Sequence, residues 1–176
     1  MVQSYNLGRV ASLRLTAAPS AIVGSILLWV LLGGFAALGL GVSPVAAVVG
    51  GLVAVLLHWA SDIVHQLGHA RAARATGQPM IGIRLWWVLS ASIYPRDEGS
   101  LPAAVHIRRA LGGPVASLLL TVIAALIALA LRPLGGVYWW VALFFFLDNL
   151  LVLTLGAFVP LGFTDGSTLL HWWGKQ

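Results

Sequence analysis

Apolar residues fill the chain in four long runs, separated by short breaks of Gly, Pro and charged residues. The first run extends from about Ala21 to Gly41 and ends at Gly41, Ser43 and Pro44. The second begins near Val45 and continues to about Ala75, where Thr76-Gly77-Gln78-Pro79 stops it. At 1.5 Å per residue such a helix is roughly 45 Å long, more than a hydrocarbon core of about 30 Å. Its end must emerge from the bilayer or tilt. The third runs from about Ala103 to Leu131 through Gly112-Gly113-Pro114, and the fourth from about Tyr138 to Val159. Pro160 to Thr164 breaks the fourth, and a short Trp-rich helix follows. Between the second and third runs the period changes. Ile81, Ile83, Leu85, Trp87 and Leu89 alternate with Gly82, Arg84, Trp86 and Val88, which predicts one or two short strands. Open strands cannot face lipid, so they belong at the interface or under a cover of protein. Residues 1–18 read as a mildly amphipathic segment lying at the interface, with Arg9 and Arg14, retained rather than cleaved.

These elements predict an all-α polytopic membrane protein: four transmembrane helices, a short interfacial β segment and a single domain over residues 1–176. Composition agrees. Hydrophobic residues make up 60% of the chain and charged residues 9%, against about 25% in soluble domains, too few to cover a water-facing surface. The lipid bilayer is therefore the first partner, and the net charge of +5 is no pointer to nucleic acid. With no cysteine there are no disulfides and no thiolate ligands. Arg9, Arg14, six arginines from Arg71 to Arg109, and Lys175 share one side, and Arg132 alone lies on the other. The positive-inside rule places both termini in the cytoplasm, in a prokaryotic cytoplasmic membrane.

The chemistry lies in the second run. On a helical wheel His58, Asp62, His65, Gln66 and His69 fall within an arc of about 100°. Ionisable groups in a membrane segment face protein or a water cavity. Histidines four apart present two imidazoles to one ion, as in the zinc motif His-Glu-x-x-His, but here Gln66 follows the first histidine. A catalytic zinc ordinarily takes three protein ligands and a water, so a third donor is required. Asp165 follows the broken fourth run on the same predicted side. It suits either a ligand or a helix cap. Spacing alone leaves a hydrogen-bonded polar seam, or a small transport or lipid-binding protein with a polar cavity, equally open.

Taken together, His65-Gln66-Leu67-Gly68-His69-Ala70, Gly113-Pro114 and Pro160-Leu161-Gly162-Phe163-Thr164-Asp165-Gly166 resemble the HExGHA, GP and PxxPLDG segments of the site-2 protease family. The likeness covers roughly residues 45–172. It implies an intramembrane zinc metallopeptidase, with His65, His69 and Asp165 holding Zn2+ and Gln66 at the position of the general base. Its substrates would be membrane-embedded peptide segments, held by the strand region near Ile83 and Leu85. Membrane helices resist cleavage because their amides are bonded internally, and an edge strand can hold an unwound segment. The departures from the family are specific. A primary amide at Gln66 cannot act as a base, which ordinarily contributes about 10²–10⁴-fold. The family's asparagine before PxxPLDG falls on Ala157, and another, in the third span, on Ser117. Asp62 stands one turn from Gln66, either as a relocated base or accepting an N–H from His65 or His58. A weakened peptidase and a non-catalytic metal-binding pseudoprotease that binds membrane helices are the two readings. Asp148 and Asn149 read as helix–helix hydrogen-bonding groups, and His58, about two turns deeper than the pair, could bond Asp62 or contact Asp148. His106, Arg108 and Arg109 are expected at headgroup level. His171 and the pairs Trp86-Trp87, Trp139-Trp140 and Trp172-Trp173 are expected in aromatic belts.

Overall fold

The computed structural model describes residues 4–175. Strand β1 (Tyr5–Val10) and strand β2 (Leu13–Ala17) lead into helix α1 (Pro19–Gly39), and α2 (Pro44–Ala75) returns antiparallel to it. Strands β3 (Gly82–Trp86) and β4 (Leu89–Ile93) follow, then α3 (Ala103–Leu131) and a 3-10 turn at Arg132–Leu134. Helix α4 (Gly136–Leu147) continues into a π-helical stretch, Asp148–Leu155, and a 3-10 turn, Gly156–Phe158. Helix α5 (Asp165–Trp172) is the last element. Four of these units are long and apolar enough to cross a membrane: Pro19–Gly39, Pro44–Ala75, Ala103–Leu134 and Gly136–Phe158.

The helices are polar inside and apolar outside. Along α2 the buried positions include His58, Ser61, Asp62, His65, Gln66 and His69 beside small residues such as Ala47, Ala54 and Ala73, while Val48, Val49, Leu52 and Leu56 are exposed. That is the distribution a lipid solvent imposes, because an unpaired polar group in hydrocarbon costs several kcal/mol. Small residues let the central pair approach. A Cβ on Gly112 would lie 2.5 Å from the Gly68 carbonyl oxygen and 2.7 Å from Ala72 Cβ, so α2 and α3 cross backbone to backbone there.

The β segment is larger than expected. It is one four-stranded sheet in the order β1-β2-β3-β4, with β2 and β3 parallel and the outer pairs antiparallel. Residues 5–17 form a hairpin and not a surface-lying amphipathic segment. Leu13, Leu15 and Ala17 face inward, with Leu13 and Ala17 buried, while exposed Arg14 and half-buried Thr16 face outward. Ala11 and Ser12 both take positive φ, 46° and 72°, as a two-residue hairpin turn of the primed type requires. The inner face packs on Ala21, Ala70, Ala73 and Met80.

The fourth span is continuous in space but not regular. Asn149 Nδ2 donates to the Phe145 carbonyl at 2.8 Å, occupying the acceptor that its own backbone N–H would use in an α-helix. The π-helical stretch begins beside this residue. Arg109 is buried within the protein, where Glu98 and a backbone carbonyl receive its guanidinium. Trp140 is buried against α2 with Ala47 and Ala54. His106 stacks on the Trp172 ring at 4.2 Å, docking α5 on α3.

Candidate metal centre

His65 and His69 project from one face of α2, and α5 brings Asp165 to them. His65 Nε2 and His69 Nε2 are 3.0 Å apart. Asp165 Oδ2 lies 3.3 Å from His65 Nε2 and Oδ1 lies 3.4 Å from His69 Nε2. Among the described residues this is the group of His and carboxylate side chains disposed to hold one ion. Asp165 does not cap α5. Thr164 is the N-cap residue, its hydroxyl occupied by the turn before the helix, which frees Asp165 to face the histidines.

The far side of each imidazole is anchored. His69 Nδ1 lies 2.7 Å from the Arg109 carbonyl oxygen and 3.2 Å from the Gly113 backbone nitrogen, so α3 holds the ring from behind. Pro114, in the same turn of α3, lacks the N–H that would meet the Ala110 carbonyl. His65 Nδ1 lies 2.9 Å from Ser117 Oγ. With both Nδ1 atoms so engaged, both Nε2 atoms face one space. This is the arrangement of metal-bound histidines.

Two observations test whether a tetrahedral ion fits. Donors about 2.0–2.1 Å from a tetrahedral zinc stand about 3.3–3.4 Å apart; here the two imidazole nitrogens are 3.0 Å apart, and Asp165 sets one oxygen 3.3 Å from His65 and the other 3.4 Å from His69. The second observation concerns Gly113. A Cβ there would run into Nε2 of both His65 and His69 and lie 2.6 Å from His69 Cε1. The glycine keeps open the space that both Nε2 atoms face, so the residues present fit the group.

The cluster opens into a cavity of about 600 Å³. Gln66, Asp62, Ala157, Arg109 and the β4 residues Leu89 to Ser92 contribute to its walls. Gln66 uses both ends of its amide. Its Nε2 donates to the Ser90 carbonyl at 3.4 Å and its Oε1 accepts from Ser92 Oγ at 2.7 Å. Asp62 lines the same cavity but bonds neither candidate histidine, because Ser117 serves His65, and Asp148 and Val88 serve His58. One Asp62 oxygen, Oδ2, is buried without a partner. His58 lies outside the cluster. Its Nδ1 is 3.1 Å from Asp148 and its Nε2 donates to the Val88 carbonyl at 2.7 Å, tying α2 to the fourth span and to the β3–β4 turn.

The strand positions singled out from the sequence are misplaced by one strand. Ile83 and Leu85 are buried in the sheet core at 0% and 7% exposure. The free edge that borders the cavity belongs to β4. Asn149 does not reach the cavity either, and bonds Ser61 Oγ at 2.9 Å. Burial pushes the Asp165 carboxyl up, but hydrogen bonds from His65 and His69 outweigh it and hold it below the ordinary carboxylate range. Arg109 grips Glu98 with both terminal nitrogens, donates to the Gln78 carbonyl at 2.7 Å, and lies 4.1 Å from the Tyr94 ring centre. Sequence reasoning missed this knot, since its members are separated by loop residues with no periodic signal.

No protein-family model matches the chain, and no curated protein matches it in sequence. Among solved structures it matches a site-2 protease from Methanocaldococcus jannaschii, with a TM-score of 0.62 at 15% identity. The superposition covers 96% of this chain and 70% of that one. Four membrane-length helices, the small sheet and this structural match together give a multi-pass integral membrane protein built on the site-2 protease fold.

Proposed function

We propose that the chain is an intramembrane zinc metallopeptidase of site-2 protease type, acting on peptide bonds of membrane-embedded segments and strongly weakened by Gln66. The observation that carries this reading is the convergence of His65 Nε2, His69 Nε2 and Asp165 at 3.0–3.4 Å, each imidazole anchored behind. Zinc held there would supply Lewis-acid activation of water and of the scissile carbonyl. The remaining work falls to the chain. Ser117 and the Arg109 carbonyl orient the two imidazoles. The helix bundle keeps bulk water out of the surrounding bilayer while the cavity admits it locally. The outward edge of β4, beside the histidines, offers backbone groups to an unwound segment. Gln66 stands where a base would take a proton, and a neutral amide takes none at pH 7.

A second reading, a metal-binding pseudoprotease that holds membrane helices without cutting them, is favoured by the fit of Gln66. A glutamate there would lose the N–H that meets the Ser90 carbonyl and set a carboxylate against it. The amide suits this pocket at both ends. The position of Ala157 on the cavity wall, a methyl where the family carries an asparagine, points the same way. The orientation with both termini in the cytoplasm of a prokaryote belongs to the same proposal and rests on the arginine distribution.

The test is zinc per chain in purified protein, measured beside His65→Ala and Asp165→Ala. Near one zinc, lost in both variants, supports the centre. No zinc after reloading the parent refutes it. Cleavage of a membrane-embedded peptide by Gln66→Glu, with none by the parent, then favours the peptidase, and silence in both favours the binder.

A further inference from the structure

We propose that the outward face of the four-stranded sheet is a binding site for anionic phospholipid headgroups, a function separate from the metal centre. Alternation along the strands sorts the side chains. Arg14 and Thr16 on β2 point away from the core, and β1 matches them with Arg9 and Asn6 in direct register. Arg84 on β3 is the partner of Thr16, and Gly82 the partner of Arg14. Three arginines thus stand on one face, two of them directly opposite each other.

Like charges facing across a strand pair destabilise it unless something neutralises them. Nothing in the described protein does so. Its ion pairs join His58 to Asp148, His65 and His69 to Asp165, and Arg109 to Glu98, and none includes Arg9, Arg14 or Arg84. Between the arginines the face is hollow. Ser4, Asn6, Gly8, Arg9, Arg14 and Thr16 line a shallow depression of about 460 Å³ that contains no carboxylate. Gly8, which has no side chain, leaves room above the backbone of β1. At Gly8 φ is +103° beside a register shift in the β1–β2 ladder, and open space surrounds it.

The place of the sheet in the fold selects the anion. Strand β2 passes almost directly into α1, a membrane-length helix, and the inner face packs on Ala70 and Ala73 near the end of α2. Trp87, at the far end of β3, lies against the backbone of Gly24, more than a turn into α1. The arginine end therefore sits at headgroup level while the tryptophan end reaches toward the acyl region. An arginine fork pairs readily with a phosphate diester, and the phosphate available in that layer is that of a lipid.

The experiment uses the full chain in bilayer discs of equimolar phosphatidylcholine and phosphatidylglycerol, followed by mass spectrometry of the lipids retained by the released protein. Phosphatidylglycerol should be retained preferentially. Replacing Arg9, Arg14 and Arg84 together by glutamine should lower that preference by about tenfold or more. Arg71→Gln with Arg74→Gln, which removes charge from the exposed end of α2, should leave it in place. Arg9→Gln alone, at an exposed site, should give a partial loss even if the triple variant folds poorly. Equal retention of the two lipids by the parent overturns the proposal. So does an equal loss in the Arg71/Arg74 variant, or displacement of the lipid by inorganic phosphate at millimolar concentration.

Discussion

Replacing Gly113 by alanine separates metal binding from folding. Inside α3 the change by itself favours the helix by about 0.5–1 kcal/mol, since glycine loses more backbone freedom. The new Cβ, however, has nowhere to go except between the two imidazoles, where it meets both Nε2 atoms. Overpacking of this kind costs about 1–3 kcal/mol, relieved here by turning the rings outward. The two terms partly cancel, so the metal-free variant should lie within about 2 kcal/mol of the parent. Zinc content should fall from near one per chain to near none, because turning the rings breaks the convergence of His65, His69 and Asp165. Gly112→Ala, one residue earlier, gives the opposite result. Its Cβ meets the Gly68 backbone and Ala72, forces α2 and α3 apart, and should lower stability outright. The assay is paired: zinc by mass spectrometry and thermal unfolding in the same micelles, with and without chelator. Stoichiometric zinc in Gly113→Ala would refute the placement of the ion in that space.

Other outcomes follow from the same geometry. Ser117→Ala removes the partner of His65 Nδ1 and should weaken zinc affinity by about 10–100-fold, read by competition with a chromogenic chelator. Trp172→Ala removes the ring on which His106 stacks, so α5 should loosen and faster amide exchange in residues 165–172 should accompany weaker zinc binding. The two-pronged contact with Arg109 holds the Glu98 carboxyl below its ordinary 4.5. A depressed carboxylate contributes stability that is fully present above about pH 4.5 and is lost as pH falls through its lower folded value. Proteolysis of the 95–102 loop should therefore accelerate in that acid window, and Glu98→Gln should abolish the pH dependence. A parent profile that is flat there contradicts the role given to the pair.

Much of this was legible because lipid exaggerates pattern. Long apolar runs located the helices, and polar residues within them could only face inward, so the stripe on α2 was readable before any coordinates. The hairpin of residues 5–17 was not. Its turn is Ala11-Ser12, neither of which advertises positive φ, so the strand alternation passed for amphipathicity. The contact of His58 with Asp148 was one of the two that the residues allowed, while the partner of Asp62 was misjudged for another reason. Helical spacing shows which side chains share a face, whereas Ser117, Asp148 and Val88 arrive from other elements and take the imidazole nitrogens first. Assignment of the cleft edge to Ile83 and Leu85 failed because periodicity finds strands without saying which one is outermost. The role of Gly113 lay in the motif letters. Its physical reason needed the neighbouring helix.

The two histidines and the aspartate lie nearly a hundred residues apart in the chain, so an ion held by all three would also close a long loop. A link across about 100 residues removes as much as about 4.7 kcal/mol of conformational entropy from a free unfolded chain, and less when the intervening helices stay inserted in lipid. The ion would act as a staple as well as a reagent. Its removal would be felt first in α5, an eight-residue helix too short to stand alone in water. A chain that never cuts a peptide bond would still have reason to keep its zinc.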